Sequence, residues 1–390
     1  MRQVYLDYSA TTPVRKEVLE EMLPFFSEHF GNPSSAYARG YKTREAIERA
    51  RHRLAGFLGA NHNEIFFTSS GTEANNWALS GVCAMFKEKG NHIITTKIEH
   101  PAILNHCNFL ESQGYKVTYL DVQADGIVDP KTLEAAITKD TVLISVMFIN
   151  NEIGTIQPIK ELCQIAHKHE ILFHTDAVQA LGSTPIDVKE LDVDLLSMSA
   201  HKIYGPKGIG ALYIKQGVEI ANLMFGGGQE SRKRPGTENL TGIVGFGKAA
   251  EIAKNNLTAQ IAKITELREY FIDKVMSEIN EVYLNGHRQF RHPGNANLRF
   301  DYIEGESILV LLDMKGISVS TGSACASGES TPSHVLTALN IPIELIHSSL
   351  RFTIGAFTTK EDLDYVIDEL KIIVEKLRSI SSVSAKTLKG

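Results

Sequence analysis

The stretch Ile171-Leu172-Phe173-His174-Thr175-Asp176-Ala177-Val178-Gln179 indicates the fold of this chain of 390 residues. A short apolar run that ends in a carboxylate predicts a buried strand with Asp176 at its carboxyl end. In open α/β sheets, ligands bind at that end of the strands. Asp176 is therefore a candidate ligand-binding residue, and the alternative is that it only caps the helix that follows.

A lysine follows the next predicted strand, Leu195–Met198, in the segment Ser199-Ala200-His201-Lys202. The turn Gly205-Pro206-Lys207-Gly208-Ile209-Gly210 comes directly after it. A lysine between an apolar strand, small residues and a glycine-rich turn suits a desolvated amine with a lowered pKa. Such an amine can form a Schiff base. A Schiff-base lysine and an aspartate for a pyridinium nitrogen together define a pyridoxal phosphate (PLP) site.

Around this pair, β-rich runs alternate with helical patterns such as Thr72–Lys89 and Pro158–His169, which predicts a mostly parallel, buried sheet. A long helix is expected over Glu238–Ile279, with a break near Asn255-Asn256. The chain after it predicts a smaller α+β unit, and residues 1 to about 15 are expected to pack across the boundary between the two units. The predicted strands of the large unit are Ile65–Phe67, His92–Thr96, Lys116–Leu120, Thr141–Phe148, Ile171–Thr175, Leu195–Met198 and Ala211–Ile214.

Charge and composition narrow the class of protein. The chain has 40 Lys and Arg against 46 Asp and Glu, a formal net charge of −6, which argues against a general binder of nucleic acid or anionic membranes. Only a local basic patch, such as Arg232-Lys233-Arg234, would support such a binder. No apolar run approaches the ~20 residues that span a bilayer, and the N-terminus lacks a signal-peptide pattern. We therefore expect a soluble cytoplasmic protein.

The segment Thr68-Ser69-Ser70-Gly71-Thr72-Glu73 lies between a predicted strand and a predicted helix. Its backbone N–H groups and hydroxyls would face an anion at the helix N-terminus. The alternative is simple N-capping by Ser70 or Thr72, with Glu73 in the first turn. Its glycine spacing fits neither a Walker loop nor a Rossmann fingerprint.

Taken together, these and further segments closely resemble the cysteine desulfurases of the IscS/NifS type, within the class V aminotransferase group of fold-type I PLP enzymes. The matching segments run along almost the whole chain and include residues 5–13, 31–35, 70–73, 99–100, 150–154, 201–208, 234–239, 322–325 and 348–352. The resemblance implies a large PLP-binding domain over 15–260, with a mostly parallel seven-stranded sheet between helices. It also implies a small α+β domain of 1–14 and 261–390 that carries a mobile cysteine loop over about 320–333.

The resemblance further implies roles around the cofactor. Lys202 would hold PLP as a Schiff base and move the Cα proton, and Asp176 would keep the ring nitrogen protonated. His100 would stack on the ring as an acid/base group; without the family, a solvent-facing loop histidine is the alternative. Gln179 and Asn151 would contact or orient the ring. The implied phosphate contacts are Gly71, Thr72, Ser199, His201 and, from the neighbouring subunit of a homodimer, Thr237.

Arg351 is the candidate clamp for the carboxylate of the substrate, L-cysteine, since a guanidinium matches a carboxylate as a bidentate fork. The alternative is a surface charge on an edge strand. Asn32 is the expected second contact. Ala200 and Gln229 stand where the family more often has Gly and His.

Cys325 differs from the other cysteines. Cys83, Cys107 and Cys163 lie in apolar helical patterns and are expected in the core. Cys325 lies among small residues in a segment that we expect to be exposed, and the thiolate is the reactive form of cysteine. The resemblance implies that Cys325 takes the substrate sulfur as a persulfide.

The sulfur would pass to an iron–sulfur scaffold protein or another acceptor, such as a carrier for tRNA thiolation. No metal site is predicted beyond Cys325 as a candidate transient ligand of an iron–sulfur cluster. Two alternatives stay open, a selenocysteine lyase or other class V PLP lyase, and a non-catalytic sulfur-relay subunit.

Overall fold

The computed structural model describes residues 2–321 and 332–380. Cys325 lies outside the described residues. In chain order, the strands are β1 Val4–Tyr5, β2 Ile65–Thr68, β3 His92–Thr96, β4 Lys116–Leu120, β5 Thr141–Ser145, β6 Leu172–Asp176, β7 Leu195–Ser199, β8 Gly210–Ile214, β9 Val282–Leu284, β10 Asn295–Phe300, β11 Ile317–Ser318 and β12 Ser349–Thr353.

The helices alternate with these strands through most of the chain. They are α1 Lys16–Met22, α2 Pro24–Ser27, α3 Ala38–Leu58, α4 Gly71–Met85, α5 Pro101–Ser112, α6 Pro130–Ala136, α7 Ile159–Lys168, α8 Val188–Leu191, α9 Leu240–Glu278, α10 Gly305–Asp313, α11 His334–Ala338, α12 Ile343–Ile346 and α13 Lys360–Ile380. Short 3₁₀ turns cover His62–Glu64, Ala200–Lys202 and Glu230–Arg232.

Seven strands form the central sheet in the order β2-β8-β7-β6-β5-β3-β4. The strand β8 is antiparallel to both neighbours, and the remaining pairs are parallel. On each of three strands, neighbouring residues belong to different apolar cores. Phe67, Ile94 and Leu196 belong to one core, and the residues just before them, Phe66, Ile93 and Leu195, belong to the other. Because successive side chains point to opposite faces, the sheet is covered on both sides. The predicted α/β class with a mostly parallel seven-stranded sheet between helices is confirmed.

The long helix α9 is continuous over its 39 residues, so the break predicted near Asn255-Asn256 is wrong. The Asn256 amide donates to the Ile252 carbonyl at 2.9 Å within the helix. Asparagine is a weak helix former, but the cost of roughly 0.7 kcal/mol per residue is too small to end a packed helix. In its first half, a Cβ on Gly247 would lie 2.5 Å from the Cα of Ala50, so glycine allows α3 to pack closely there.

A third apolar core lies under the three-stranded sheet β12-β10-β9 and the parallel pair of β1 and β11. Val4 and Leu6 belong to this core, and six residues later Thr12 donates its hydroxyl to the His201 carbonyl at 2.8 Å. The N-terminal segment therefore contacts both units. Helices α11 and α12 place Val335 and Ile346 in the core of the central sheet.

Within residues 2–321 and 332–380, the structure contains no helix with the length and apolar character that a membrane span requires.

Candidate active site

The carboxyl ends of β6 and β7 and the start of α4 border a cavity of about 370 Å³. Its position agrees with the rule that open α/β sheets bind ligands at this edge. Residues that the sequence pattern and the family resemblance selected line it together: Gly71, Thr72, His100, Asn151, Asp176, Gln179, Ser199, His201 and Lys202.

Lys202 ends the 3₁₀ turn that follows β7. Its amine donates to the main-chain carbonyls of Ser9 and, at 2.8 Å, of Ala10. Burial lowers the pKa of Lys202 to about 8 and the charge of Arg351 acts in the same direction, against the opposing effects of Asp7 and Asp176. An amine with this pKa is partly unprotonated near neutral pH, so it can attack an aldehyde.

Asp176 is the last residue of β6, and its side chain is buried. Asn75 donates to one carboxyl oxygen at 2.7 Å, and the main-chain N–H of Val178 donates to the other at 2.9 Å. Both donors are neutral, so a protonated pyridine nitrogen would add the positive charge that a buried carboxylate favours. The residues present thus fit PLP. Sequence reasoning missed Asn75, which its place one turn after Gly71 on α4 could have indicated.

The start of α4, with Gly71 and Thr72, forms a recess at the edge of the cavity, which we call the cup. Ser70 caps the helix by accepting the N–H of Glu73 at 3.1 Å, so the N-cap that was the alternative for this segment is present. A Cβ on Gly71 would lie 2.6 Å from Cγ2 of Val178, which explains the need for glycine. At a helix start the first N–H groups lack partners within the helix and can bind a phosphate.

An ion pair supports this cup from the outside. Arg234 donates to the two carboxyl oxygens of Glu73 at 2.7 and 3.0 Å, and the N–H of Ser69 donates to Glu73 at 2.9 Å. Burial pushes the pKa of Glu73 upward, but the hydrogen bonds from Arg234 and Ser69 outweigh it and leave the pKa below its usual value. The carboxylate therefore stays charged and holds the cup.

Two histidines of the cavity are kept neutral. His100 caps α5 by accepting the N–H of Ala102 on Nδ1 at 3.1 Å, so the proton of the neutral ring is on Nε2. Burial lowers the pKa of His100; Asp176 opposes this effect, while Lys202 and His334 add to it. Burial, with Lys202 and Lys207, lowers the pKa of His201 to about 4.

Arg351 on β12 is 5% exposed, so it is not a surface charge. Its guanidinium donates to the Asn151 carbonyl and to the Asp7 carboxylate, each at 2.8 Å. Its Nε is buried and has no partner among the described residues. Arg351 does not itself line the cavity, but it holds the main chain of Asn151, which does. Asp7, the partner of Arg351, lies in the matching segment of residues 5–13, but the family resemblance gave Asp7 no role.

Besides Arg351, two predicted residues lie outside the cavity. Asn32 is exposed, and its side-chain oxygen accepts the N–H of Ser34 at 2.9 Å. Thr237 is exposed in a neighbouring pocket of about 230 Å³ that shares Ser69 and Gly208 with the cavity. Neither reaches the site within a single chain.

The family model for class-V aminotransferases matches residues 4–366. The chain belongs to this family, whose fold and site are those of PLP-dependent enzymes. A solved structure titled "NifS-like protein" has a TM-score of 0.91 and 38% identity, over 96% of this chain and all (100%) of that one.

Relatives at high identity narrow the family to the cysteine desulfurases. The cysteine desulfurase IscS of Dictyoglomus turgidum is 58% identical over 97% of this chain and 96% of its own length. That of Methanosarcina thermophila is 54% identical over 99% of this chain and 95% of its own length. These relatives do not favour the lyase and relay alternatives.

Proposed function

We propose that this protein is a PLP-dependent cysteine desulfurase that converts L-cysteine to L-alanine and places the released sulfur on Cys325. The observation that carries the proposal is the cavity itself, where the amine of Lys202, with its lowered pKa, and the buried Asp176 meet at the carboxyl ends of neighbouring strands. A solved structure titled "SspA in complex with cysteine", 37% identical over 92% of this chain, supports the substrate.

PLP supplies, when bound, an electron-withdrawing ring that makes the Cα proton of a linked amino acid acidic. Lys202 holds the cofactor through Nζ and then takes and returns the Cα proton. Asp176 accepts a hydrogen bond from the ring nitrogen and keeps it protonated. His100, the N-cap of α5, lines the cavity and keeps a proton on Nε2, so it can act as an acid/base group.

Further residues bind the ends of the cofactor and of the substrate. The cup of Gly71 and Thr72, together with Ser199 and His201, takes the phosphate. Gln179 and Asn151 orient the ring; Gln179 is itself held, since its amide donates to the Ser9 carbonyl at 2.9 Å. Arg351 would take the substrate carboxylate, and its buried Nε has no partner among the described residues. Asn32 would be the second contact, which requires its segment to approach the cavity, because it does not line the cavity within a single chain.

In this proposal, Cys325 accepts the sulfur of the substrate. Its thiolate attacks the substrate sulfur, so that a sulfur–sulfur bond forms as the bond from Cβ to sulfur breaks. The electron pair of the broken bond passes to Cβ, which takes up a proton to give the methyl group of alanine. The persulfide then passes its outer sulfur to an iron–sulfur scaffold protein or another acceptor in the cytoplasm.

A homodimer completes the site in this proposal. Thr237 faces a pocket beside the cavity and would reach the phosphate of the second subunit. The nearby stretch Leu223-Met224-Phe225 is exposed, with Phe225 at 88%, an unusual position for a large apolar side chain. Burial of this stretch against a second copy of the chain would remove it from water.

The test is alanine release from L-cysteine in the presence of a thiol reductant. We expect the PLP-loaded protein to form alanine and a persulfide on Cys325, detectable by mass spectrometry. Cys325→Ala should nearly abolish both, while the matched control Cys83→Ala, at a buried cysteine of α4, should retain them. No alanine from the PLP-loaded protein would refute the activity, and undiminished alanine from Cys325→Ala would refute the role of Cys325.

A further inference from the structure

The first turn of α11 contacts the turn that carries His100. Nε2 of His334 lies 2.9 Å from the main-chain oxygen of Glu99. Because a carbonyl oxygen only accepts, Nε2 of His334 carries the proton and donates. This hydrogen bond ends on the peptide group that joins Glu99 to His100.

The position of the His100 ring depends on that main chain. Within the part of the chain that the structure describes, the side chain of His100 makes one hydrogen bond, a local one in which Nδ1 accepts the N–H of Ala102. The turn before His100 is held by the loop that follows β5. Asn150 donates to the Ile98 carbonyl at 2.8 Å, and the Glu99 carboxyl accepts from the N–H of Met147 at 2.8 Å. Each of these contacts fixes the backbone just before His100.

The Glu99 side chain keeps this turn in place without a charge. Its carboxyl is fully buried, and burial raises its pKa to about 8. Thr96 donates to the same oxygen that accepts from Met147, at 2.9 Å. The Glu99 carbonyl is a further acceptor of the turn, and His334 is its partner.

His334 is itself rigidly placed. The preceding residue, Ser333, donates to the buried carboxylate of Glu152 at 2.6 Å and caps α11 by accepting the N–H of Leu336 at 3.2 Å. The following residue, Val335, is in the core of the central sheet. Because the residues on both sides of His334 are fixed, its hydrogen bond can hold the Glu99 carbonyl in place.

We propose that His334 is a positioning residue for His100, because it holds the peptide group before His100 and thereby aligns that ring in the cavity. The inference rests on the proposed function for the acid/base role of His100. It also means that α11, which follows the Cys325 segment in sequence, is linked to the acid/base group through one peptide group.

The first test compares His334→Phe, which removes the donor and keeps a ring, with His334→Gln, whose amide can still donate. Aligned acid–base groups contribute ~10²–10⁴-fold to rate, so we expect His334→Phe to lower kcat for alanine release about tenfold. We expect KM for L-cysteine and cofactor absorbance to stay unchanged, and His334→Gln to recover most of the loss. The control Thr337→Ala, at an exposed position of the same helix, should behave as the parent. An unchanged kcat in His334→Phe, or an equal loss in His334→Gln, would overturn the proposal.

The second test asks whether His334 acts through His100. In the background of His100→Ala, the further change His334→Phe should alter kcat by less than about twofold, since coupled residues are not additive. A purely structural role would give the same loss in both backgrounds and would overturn the proposal. The four proteins of this comparison are the parent, His334→Phe, His100→Ala and the double variant. Their melting temperatures show whether a difference in stability accounts for a difference in kcat.

The design separates this proposal from the proposed function. If the PLP-loaded parent releases no alanine from L-cysteine, the proposed function fails. The same four proteins are then compared by the rate at which they exchange the Cα hydrogen of L-alanine for deuterium in D₂O, which needs Lys202 and the cofactor but no sulfur transfer. Non-additive effects in that exchange would support the positioning role on its own, and additive effects would overturn it.

Discussion

At the scale of single residues, Lys202 shows how burial prepares a chemical group. Its pKa of about 8 comes first from burial and then from the charge of Arg351, and Asp7 and Asp176 do not fully offset these effects. The unprotonated amine is the form that reacts with an aldehyde. Its fraction rises with pH, and the lowered pKa moves that rise from the alkaline range of a free lysine toward neutrality.

We therefore predict that apo protein captures PLP faster as the pH rises from about 7 to about 9, with a plateau above that range. The measurement is the rate of the absorbance change after mixing. Arg351→Gln removes a charge that lowers the pKa of Lys202, so its midpoint should lie at higher pH. A rate that still increases beyond roughly pH 10, as for an ordinary lysine, would contradict the prediction.

Gly71 gives a second prediction at this scale. In Gly71→Ala, the new Cβ would meet Cγ2 of Val178 at 2.6 Å, and a β-branched side chain has little freedom to turn away. Overpacking of this kind costs about 1–3 kcal/mol. We expect weaker PLP binding and a lower melting temperature.

The matched control for this prediction removes the opposing atom. Gly71→Ala with Val178→Ala should recover PLP affinity relative to Gly71→Ala alone, as measured by fluorescence titration. Equal affinities of the single and double variants would show that the clash with Val178 is not the cause.

At the scale of elements, α3 holds a strained segment in place. Glu230, Ser231 and Arg232 have positive φ angles of 45°, 56° and 66°, which cost energy in residues other than glycine. Arg51 on α3 donates to both carboxyl oxygens of Glu230 at 2.8 and 2.7 Å, and the N–H of Phe67 on β2 donates to the same carboxylate at 2.8 Å. The pair is buried, with side-chain exposures of 10% and 4%.

We predict that Arg51→Met lowers the free energy of unfolding by about 3–5 kcal/mol, because it leaves the Glu230 carboxylate buried without its charged partner. Urea denaturation followed by circular dichroism measures this. The control Lys274→Met breaks the exposed pair with Glu278 and should cost less than about 1 kcal/mol. Similar losses in both variants would contradict the prediction.

The observed strands and helices show which features the local sequence patterns predict correctly. The strands β3 and β4 have the predicted bounds, because each is a short run between clear breaks. The predicted break in α9 is wrong, because two asparagines weaken a helix only locally, while packing stabilises the helix along its whole length. Pattern reasoning predicted a strand over Ser318–Ser320, which overlaps the observed β11, but did not assign the two-residue strand β1 that pairs with it.

At the scale of the whole molecule, the exposed Phe225 bears on the proposed homodimer. We predict that Phe225→Asp shifts the protein toward monomer in analytical ultracentrifugation and lowers alanine release, since each site would lose Thr237 of the other subunit. The control Ile372→Asp, at a residue of α13 that is 61% exposed, should leave both properties unchanged. A Phe225→Asp protein that stays dimeric would show that this stretch is not the interface.

Local sequence by itself determined the central sheet, the position of Asp176 and Lys202 at its carboxyl edge, and the glycine-containing start of α4. Each of these depends on periodicity and turn chemistry within a few residues. Only the tertiary structure decided the partners of the site: Arg351 binds Asp7, 344 positions away, and His334 binds Glu99, 235 positions away. The physical reason is that a buried polar group takes whichever partner the packed fold brings within hydrogen-bond distance, and no local pattern encodes that distance.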